Sequence, residues 1–163
     1  RRRAGLPERS ANGGVRMRDS DRTLMRRAIE LARAQHGRTG ANPAVGCVIA
    51  GADGKRLSEG ATGDGGRPHA EQLALGGLPG PLLPGAIAYV TLEPCRERST
   101  GEASCSQRLI EAGISRVVVA VMDRHPKGAG GKAAIEAAGI AIETGFLEEE
   151  ASALYEDFFA SLD

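Results

Sequence analysis

One histidine and two cysteines are the residues of this chain best suited to hold a metal ion. His69 stands two residues before Glu71, and Pro94-Cys95 is followed by a second cysteine at Cys105. One imidazole and two thiolates can fill three corners of a zinc tetrahedron and leave the fourth for water, as in catalytic rather than closed structural sites. We therefore predict a zinc centre with His69, Cys95 and Cys105 as ligands.

Glu71 is the candidate proton carrier of this centre. Zinc lowers the pKa of bound water to about 7, but a proton must still be carried to the leaving group. A carboxylate beside the metal can accept that proton and deliver it. The alternatives are a satisfied histidine, two inert buried thiols and a solvent-facing glutamate. A structural zinc site would need a fourth protein ligand.

The segments that must position these residues alternate between helix and strand. Apolar runs predict strands over about 44–50, 56–61, 86–92, 116–121 and 140–144. Apolar stripes and glycine stops predict helices over about 21–36 and 69–75, one ending at Gly113, one ending near Gly139, and a last one over 147–162. This order predicts an α/β fold, a three-layer α-β-α sandwich with a five-stranded mixed sheet whose first two strands form a hairpin.

The ends of these elements decide whether the candidate residues can meet. Residues two apart in a helix point about 200° away from one another, so His69 and Glu71 share a site only if the helix end faces it. The third strand delivers Cys95 at its carboxyl end, where open α/β sheets place their sites. Pro94 suits a first helical turn, which predicts a helix amino terminus beside Cys95.

Composition limits the classes of function. The 163 residues are 41% hydrophobic, 26% charged and 3% aromatic, which is typical of one globular domain. No run approaches 18 apolar residues and no leader is evident, so we expect a cytoplasmic protein without membrane contact. Three cysteines favour metal binding or burial over a disulfide framework.

Charge is distributed unevenly along the chain. Residues 1–18 carry six arginines against one glutamate, while the remaining chain has 15 basic and 20 acidic residues. An acidic, aromatic-poor body argues against a nucleic-acid partner. We expect residues 1–18 to be a disordered extension or a cloning remnant rather than a nucleic-acid arm, and residues 19–163 to form one domain.

Several further residues are candidates for contact with a ligand. The amide of Asn42 could bind a heterocycle or a ribose hydroxyl, or simply form a turn before Pro43. A flexible turn is the favoured interpretation of 127–132, with a phosphate cradle as the alternative. Cys47 lies in an apolar strand and is expected in the core. The predicted substrate-binding residues are Asn42, Ala70, Glu93, Arg96 and Arg98.

Four sequence stretches resemble a known family. They are 42–49 (NPAVGCVI), 68–71 (PHAE), 89–95 (YVTLEPC), and Asp123-x-x-Pro126 with the glycines after it. Over roughly residues 24–159 the chain resembles the cytidine-deaminase-like superfamily, and within it the deaminase domain of the riboflavin-biosynthesis deaminase/reductase. The long gap between the two cysteines resembles this group, whereas tRNA-adenosine and free-nucleoside deaminases usually keep two residues there.

The resemblance implies a function. It implies zinc at His69, Cys95 and Cys105, proton transfer by Glu71, substrate contact by Asn42, and hydrolytic removal of the 2-amino group from a phosphorylated aminopyrimidine. The chain departs from the family in having Arg96-Glu97 where Ser-His is usual. Alternatives are a deaminase of another free base or nucleoside, of guanine or cytosine type, and a non-catalytic zinc-stabilised interaction module. The superfamily often assembles, so we also expect a homo-oligomer.

Overall fold

The computed structural model describes residues 18–79, 81–82, 84–96, 103–125 and 129–162. The expected extension over 1–18 lies outside this description except for Arg18. The helices are α1 Asp19–Gln35, α2 Ala70–Gly76, α3 Cys105–Ala112, α4 Gly131–Ala137, α5 Glu148–Ser152 and α6 Glu156–Ala160, with 3-10 turns at Asp64–Gly66 and Ala153–Tyr155. The strands are β1 Gly46–Ala50, β2 Arg56–Ala61, β3 Ile87–Leu92, β4 Arg116–Val121 and β5 Ala141–Glu143.

The five strands form one mixed sheet in the order β2-β1-β3-β4-β5. Strand β1 runs antiparallel to both β2 and β3, whereas β3, β4 and β5 are parallel. The antiparallel hairpin needs only a tight turn, but each parallel step needs a crossover, which α3 and α4 provide. This arrangement confirms the predicted five-stranded mixed sheet.

Helices cover both faces of the sheet. One apolar cluster packs α1 and the carboxyl-terminal helices on the face that includes Val48 and Tyr89. The other packs α2, α3 and α4 on the face that includes Cys47 and Val90. Neighbouring strand residues belong to opposite clusters because side chains alternate across a strand. The predicted three-layer sandwich is therefore confirmed, and Cys47 lies in the core as expected.

Helix α1 shows how local sequence produces one of these layers. Its buried residues recur at helical spacing: Asp21, Leu24, Met25, Ala28, Ile29 and Ala32. At its start, the carboxylate of Asp21 accepts a hydrogen bond of 2.8 Å from the backbone N–H of Arg18, which satisfies a donor that the helix leaves unpaired. The helix begins two residues before the predicted start.

Two helix predictions are wrong. The continuous helix expected over 147–162 is broken, because Tyr155 has φ −114° and ψ 1° and separates α5 and its 3-10 extension from α6. No helix begins at Pro94, since residues 93–96 are irregular, and the next helix among the described residues starts at Cys105. In the described part of the chain, no helix is long and apolar enough to cross a membrane.

Candidate metal centre

The start of α2 brings His69 and Glu71 to one place. His69 is the N-cap of this helix, with extended backbone angles of φ −70° and ψ 154°, and the helical residues begin at Ala70. The imidazole therefore does not follow the helical rotation, and Glu71 lies buried in the first turn. The end of the helix faces the site, which is the condition that the two-residue spacing requires.

The two cysteines approach from β3 and α3. Cys95 follows the carboxyl end of β3, and Cys105 is the first residue of α3. Ser104 caps that helix by accepting a hydrogen bond of 3.1 Å from the N–H of Gln107. The N–H of Cys105 donates to the Sγ atom of Cys95 at 3.2 Å. Cys95 thus lies beside a helix amino terminus, although it is that of α3 and not one starting at Pro94.

These three side chains form one cluster of metal-ligand atoms. The candidate ligand atoms of His69, Cys95 and Cys105 all lie within 4.8 Å of one another. The Nδ1 atom of His69 is 3.2 Å from the Sγ atom of Cys105. Donor atoms around tetrahedral zinc stand about 3.5 to 3.8 Å apart, so this donor set fits zinc in chemistry and spacing. Among the described residues, no fourth histidine, cysteine or carboxylate belongs to this cluster.

The cluster and the neighbouring Glu71 bring three acidic groups together in a small buried volume. A hydrogen bond from Cys105, helped by His69, lowers the pKa of the Cys95 thiol to about 4. The pKa of Cys105 is raised by its hydrogen bond to Cys95 and by burial. Burial also raises the pKa of Glu71, and the charge of Cys95 raises it further. A divalent cation would favour the thiolate form of both cysteines.

A cavity opens beside the cluster. Its lining includes His69, Glu71 and Cys95, together with Asn42, Pro43, Val45, Thr62, Gly66, Leu92, Glu93 and Asp123. The Nδ2 atom of Asn42 donates to the carbonyl of Gly66 at 3.2 Å, which holds the amide in the cavity wall. Two of the predicted substrate-binding residues, Asn42 and Glu93, are thus in this wall.

The other predicted substrate contacts lie elsewhere or outside the described residues. Ala70 is the first residue of α2, is fully buried, and is not part of the cavity lining. Arg96 is exposed, and its side chain packs beside Gly130. Arg98 falls outside the described residues. Their contact with substrate stays a prediction.

Glu93 is occupied by backbone amides. One carboxylate oxygen accepts the N–H of Asp123 at 3.2 Å, and the other accepts those of Gly130 at 3.2 Å and Lys132 at 2.9 Å. This buried carboxylate therefore ties the segment after β4 and the start of α4 to the end of β3. Since the amides of Gly130 and Lys132 already have acceptors, these two residues do not offer them to a phosphate, while residues 127 and 128 of the predicted turn lie outside the described residues.

Six cavity residues were not among the predicted site residues, and two of them, Thr62 and Asp123, have polar side chains. Asp123 follows the carboxyl end of β4, and its side chain accepts a hydrogen bond of 2.8 Å from the N–H of His125. Burial raises the pKa of Asp123. Its position after a parallel strand is a signal that could have identified it. Thr62 has no such local signal, because its contact with Val45 depends on strand pairing.

This chain is similar in sequence to several known proteins. Residues 18–121 match the family model of the cytidine and deoxycytidylate deaminase zinc-binding region. The riboflavin biosynthesis protein RibD of Aquifex aeolicus is 42% identical over 144 residues, which are 88% of this chain and 40% of that protein. The diaminohydroxyphosphoribosylamino-pyrimidine deaminase of Buchnera aphidicola is 38% identical over 141 residues, which are 86% of this chain and 94% of that protein.

A solved structure shows the same fold. The diaminohydroxyphosphoribosylaminopyrimidine deaminase/5-amino-6-(5-phosphoribosylamino)uracil reductase of Thermotoga maritima superimposes with a TM-score of 0.79 at 38% identity, over 86% of this chain and 40% of that chain. The present chain thus spans about two fifths of the length of this protein and of the Aquifex relative.

Proposed function

The chain belongs to the zinc-binding cytidine and deoxycytidylate deaminase family, among the diaminohydroxyphosphoribosylaminopyrimidine deaminases, and from this premise we propose its reaction. It is a zinc-dependent hydrolytic deaminase that acts on 2,5-diamino-6-ribosylamino-pyrimidinone 5′-phosphate in riboflavin biosynthesis. Water replaces the 2-amino group, so one C–N bond breaks, one C–O bond forms, and ammonia leaves. The observation that carries this proposal is the His69, Cys95 and Cys105 cluster with Glu71 at the same cavity.

The roles of the residues follow from their chemistry. His69, Cys95 and Cys105 hold the zinc, which when bound supplies Lewis-acid activation of water. Glu71 is the only carboxylate in the first turn of α2. Its side-chain oxygen accepts one proton from the attacking water and delivers it to a ring nitrogen. It then takes the remaining proton of the same oxygen and passes it to the departing amine, which leaves as ammonia.

The cavity wall orients the ring. The Asn42 amide offers a donor and an acceptor to a heterocycle or ribose hydroxyl, and Asp123 offers a carboxylate to the same cavity. The carboxylate of Glu93 acts indirectly by holding the backbone of Asp123. Because burial excludes bulk water from Glu71, a proton it carries is protected from exchange with solvent.

The test combines metal content with ammonia release. Purified protein is assayed for zinc and then incubated with the riboflavin-pathway pyrimidine, guanine, cytidine and adenosine. We expect one zinc per chain and ammonia from the pathway pyrimidine. Ammonia released only from guanine or cytidine would overturn the proposed substrate but would leave the proposed reaction, hydrolytic deamination, intact. A zinc-loaded protein that releases ammonia from none of them would overturn the enzymatic proposal.

We also propose that the protein is cytoplasmic and that it self-associates. Its ligand is a small molecule rather than a nucleic acid. Two large apolar side chains support self-association: Leu57 on the edge strand β2 is 50% exposed, and Leu73 on the neighbouring α2 is 41% exposed. Light scattering coupled to size exclusion tests this, and a monomeric mass at working concentrations would contradict it. A filter-binding assay with RNA tests the partner class, and cell fractionation tests the location.

A further inference from the structure

Two consecutive backbone N–H groups at the start of β1 donate hydrogen bonds to side-chain hydroxyls, one from each neighbouring side of the sheet. The N–H of Val45 donates to the Oγ1 atom of Thr62 at 2.9 Å, just beyond the end of β2. The next N–H, that of Gly46, donates to the Oγ1 atom of Thr91 on β3 at 3.0 Å. The position of this segment is therefore set by side chains as well as by the backbone ladder of the sheet.

Tyr155 extends the second of these contacts into a closed chain of hydrogen bonds. Its hydroxyl lies 2.7 Å from the Oγ1 atom of Thr91 and donates to the carbonyl of Ala44 at 2.8 Å. A hydroxyl has a single hydrogen, so the hydrogen of Thr91 must point to the oxygen of Tyr155. The sequence of donors runs from Gly46 through Thr91 and Tyr155 to the carbonyl of Ala44, and every donor is used once.

Burial makes this relay sensitive to the loss of any member. Thr91 and Tyr155 are 0% exposed and Ala44 is 3% exposed, so water cannot replace a missing partner. Burial also raises the pKa of Tyr155, which keeps its proton on the hydroxyl. Removing one partner would leave a buried acceptor or donor unpaired and carry its full desolvation penalty.

The relay joins two walls of the cavity. Ala44 lies between Pro43 and Val45, which both line it, and Thr91 is followed directly by Leu92 and Glu93, which line it as well. We propose that Tyr155, acting through Thr91, is a positioning residue that sets the distance between these walls and so determines substrate affinity. This inference rests on the proposed function only in taking the ligand to be the pyrimidine substrate. Tyr155 lies beyond the residues 18–121 that match the family model.

The chain contains a matched control for this residue. The only other tyrosine of the chain, Tyr89, is also 0% exposed. The hydroxyl of Tyr89 donates to Asp21 at 2.5 Å, and neither of these two residues lines the cavity. Tyr155→Phe and Tyr89→Phe therefore remove the same atom from equally buried rings. A merely structural role predicts lower stability and unchanged kinetics for both variants, whereas positioning predicts a kinetic effect for Tyr155→Phe alone.

The experiment measures KM, kcat and backbone amide exchange with the zinc-loaded protein. For Tyr155→Phe we expect KM to rise about fivefold, the factor equivalent to the roughly 1 kcal/mol of one net hydrogen bond, and kcat to stay within about twofold. The backbone amides of residues 44–46 should exchange faster in Tyr155→Phe than in the wild type, and should be unchanged in Tyr89→Phe. Thr91→Val should reproduce the rise in KM and the faster amide exchange, whereas Thr91→Ser, which keeps the hydroxyl, should behave like the wild type. In the double variant Tyr155→Phe/Thr91→Val, KM should rise no further than in the more affected of the two single variants.

The outcomes separate this inference from the proposed function. Equal KM values for Tyr155→Phe and Tyr89→Phe, or unchanged amide exchange over residues 44–46, would overturn the positioning role. If the wild type releases no ammonia, the proposed function fails while the exchange measurement still decides on the relay. Should Tyr155→Phe not fold, Thr91→Val tests the same relay from the opposite end, with Thr91→Ser as its control.

Discussion

The Nδ1 atom of His69 and the Sγ atom of Cys105 lie 3.2 Å apart, although 36 residues separate them along the chain. The first caps α2 and the second begins α3, so two helix starts converge on one point. This convergence produces a metal-ligand cluster together with Cys95. The consequences for metal binding, proton transfer, loop anchoring and stability can each be measured.

Loss of one proposed ligand should release the metal. Cys105→Ala leaves two of the three protein ligands, so we expect zinc affinity to fall by more than about 100-fold, beyond the effect of removing an outer-shell partner. Competition with a chromogenic chelator measures this affinity. Cys47→Ala is the matched control, since Cys47 is buried in the core outside the cluster and should keep one zinc per chain. Full zinc retention by Cys105→Ala would contradict the site.

Glu71→Gln should separate metal binding from turnover. The amide has nearly the shape of the carboxylate but cannot accept and return a proton, so kcat should fall by about 10²- to 10⁴-fold. Zinc content should remain that of the wild type, as measured by mass spectrometry of the metal. Glu111→Gln on α3 changes an exposed glutamate in the same way and should leave kcat unaltered. Retention of kcat by Glu71→Gln would exclude a proton-transfer role.

Glu93→Gln should loosen the segment that carries Asp123. A glutamine offers one acceptor oxygen and one NH2 group, so it cannot accept from amides on both sides as the carboxylate does. We expect a loss of about 1.5 to 3 kcal/mol in unfolding free energy, the range for hydrogen bonds to a charged group. Amide exchange should accelerate at Asp123 and Lys132.

The matched control for this loop is Glu136→Gln, an exposed change on α4. It leaves the three amide contacts of Glu93 intact, so exchange at Asp123 and Lys132 should equal that of the wild type. If Glu93→Gln behaves like this control, the carboxylate is not what anchors the segment.

A buried ion pair predicts part of the acid sensitivity. Asp21 accepts hydrogen bonds of 3.0 and 3.2 Å from Arg116 and one from Tyr89, while Arg116 also pairs with Glu143 at 2.9 Å. Burial raises the pKa of Asp21, but the hydrogen bonds from Arg116 and Tyr89 outweigh it and leave the pKa below its usual value. As the pH falls, Asp21 therefore binds its proton at a higher pH in the unfolded chain than in the folded one.

The stability that ionised Asp21 contributes is therefore fully present above about pH 5 and is progressively lost below it. Asp21→Asn should cost about 3 kcal/mol at pH 7, because it breaks a buried pair, and it should make stability fall less steeply between pH 5 and pH 3. Glu143 titrates in the opposite sense, since burial raises its pKa, so the informative quantity is the difference between variant and wild type.

Urea unfolding across this pH range measures the difference. Glu150→Gln is the control, because its pair with Arg26 is exposed on the surface and screened by solvent. Its pH dependence should match that of the wild type. Parallel stability curves for Asp21→Asn and wild type would show that Asp21 does not contribute to the acid sensitivity.

Gly46 allows close contact between β1 and α1. A Cβ atom at this position would lie 1.8 Å from the backbone oxygen of Ala28, so Gly46→Ala must push the helix from the sheet. We expect a loss of about 3 kcal/mol or more in unfolding free energy, at the upper end for overpacked cores. Gly76→Ala, in open space at the end of α2, should change stability by less than about 1 kcal/mol. Equal denaturation midpoints for the two variants would contradict this packing argument.

Local sequence predicted much of the fold. The strands at Arg56–Ala61 and Arg116–Val121 have the predicted bounds, because uninterrupted apolar or alternating runs between turn residues indicate strands directly. The three proposed ligands also come together as predicted. Their residue types and their places at the ends of elements were sufficient, since strand ends and helix starts meet at one edge of an α/β sheet.

Tertiary contacts decided the remaining features. The break at Tyr155 and the absence of a helix at Pro94 depend on which distant groups these segments meet, and helical periodicity contains no such information. The same holds for Glu93, whose three partners lie 30 to 39 residues further along the chain.

By itself, the sequence determined a layered α/β domain and the set of candidate zinc ligands, because both follow from residue type and local spacing. Only the tertiary structure decided that Glu93 anchors backbone amides and that Tyr155 closes a relay with Thr91. Hydrogen bonds between segments far apart in sequence depend on the packed arrangement of helices and strands, which no local pattern specifies.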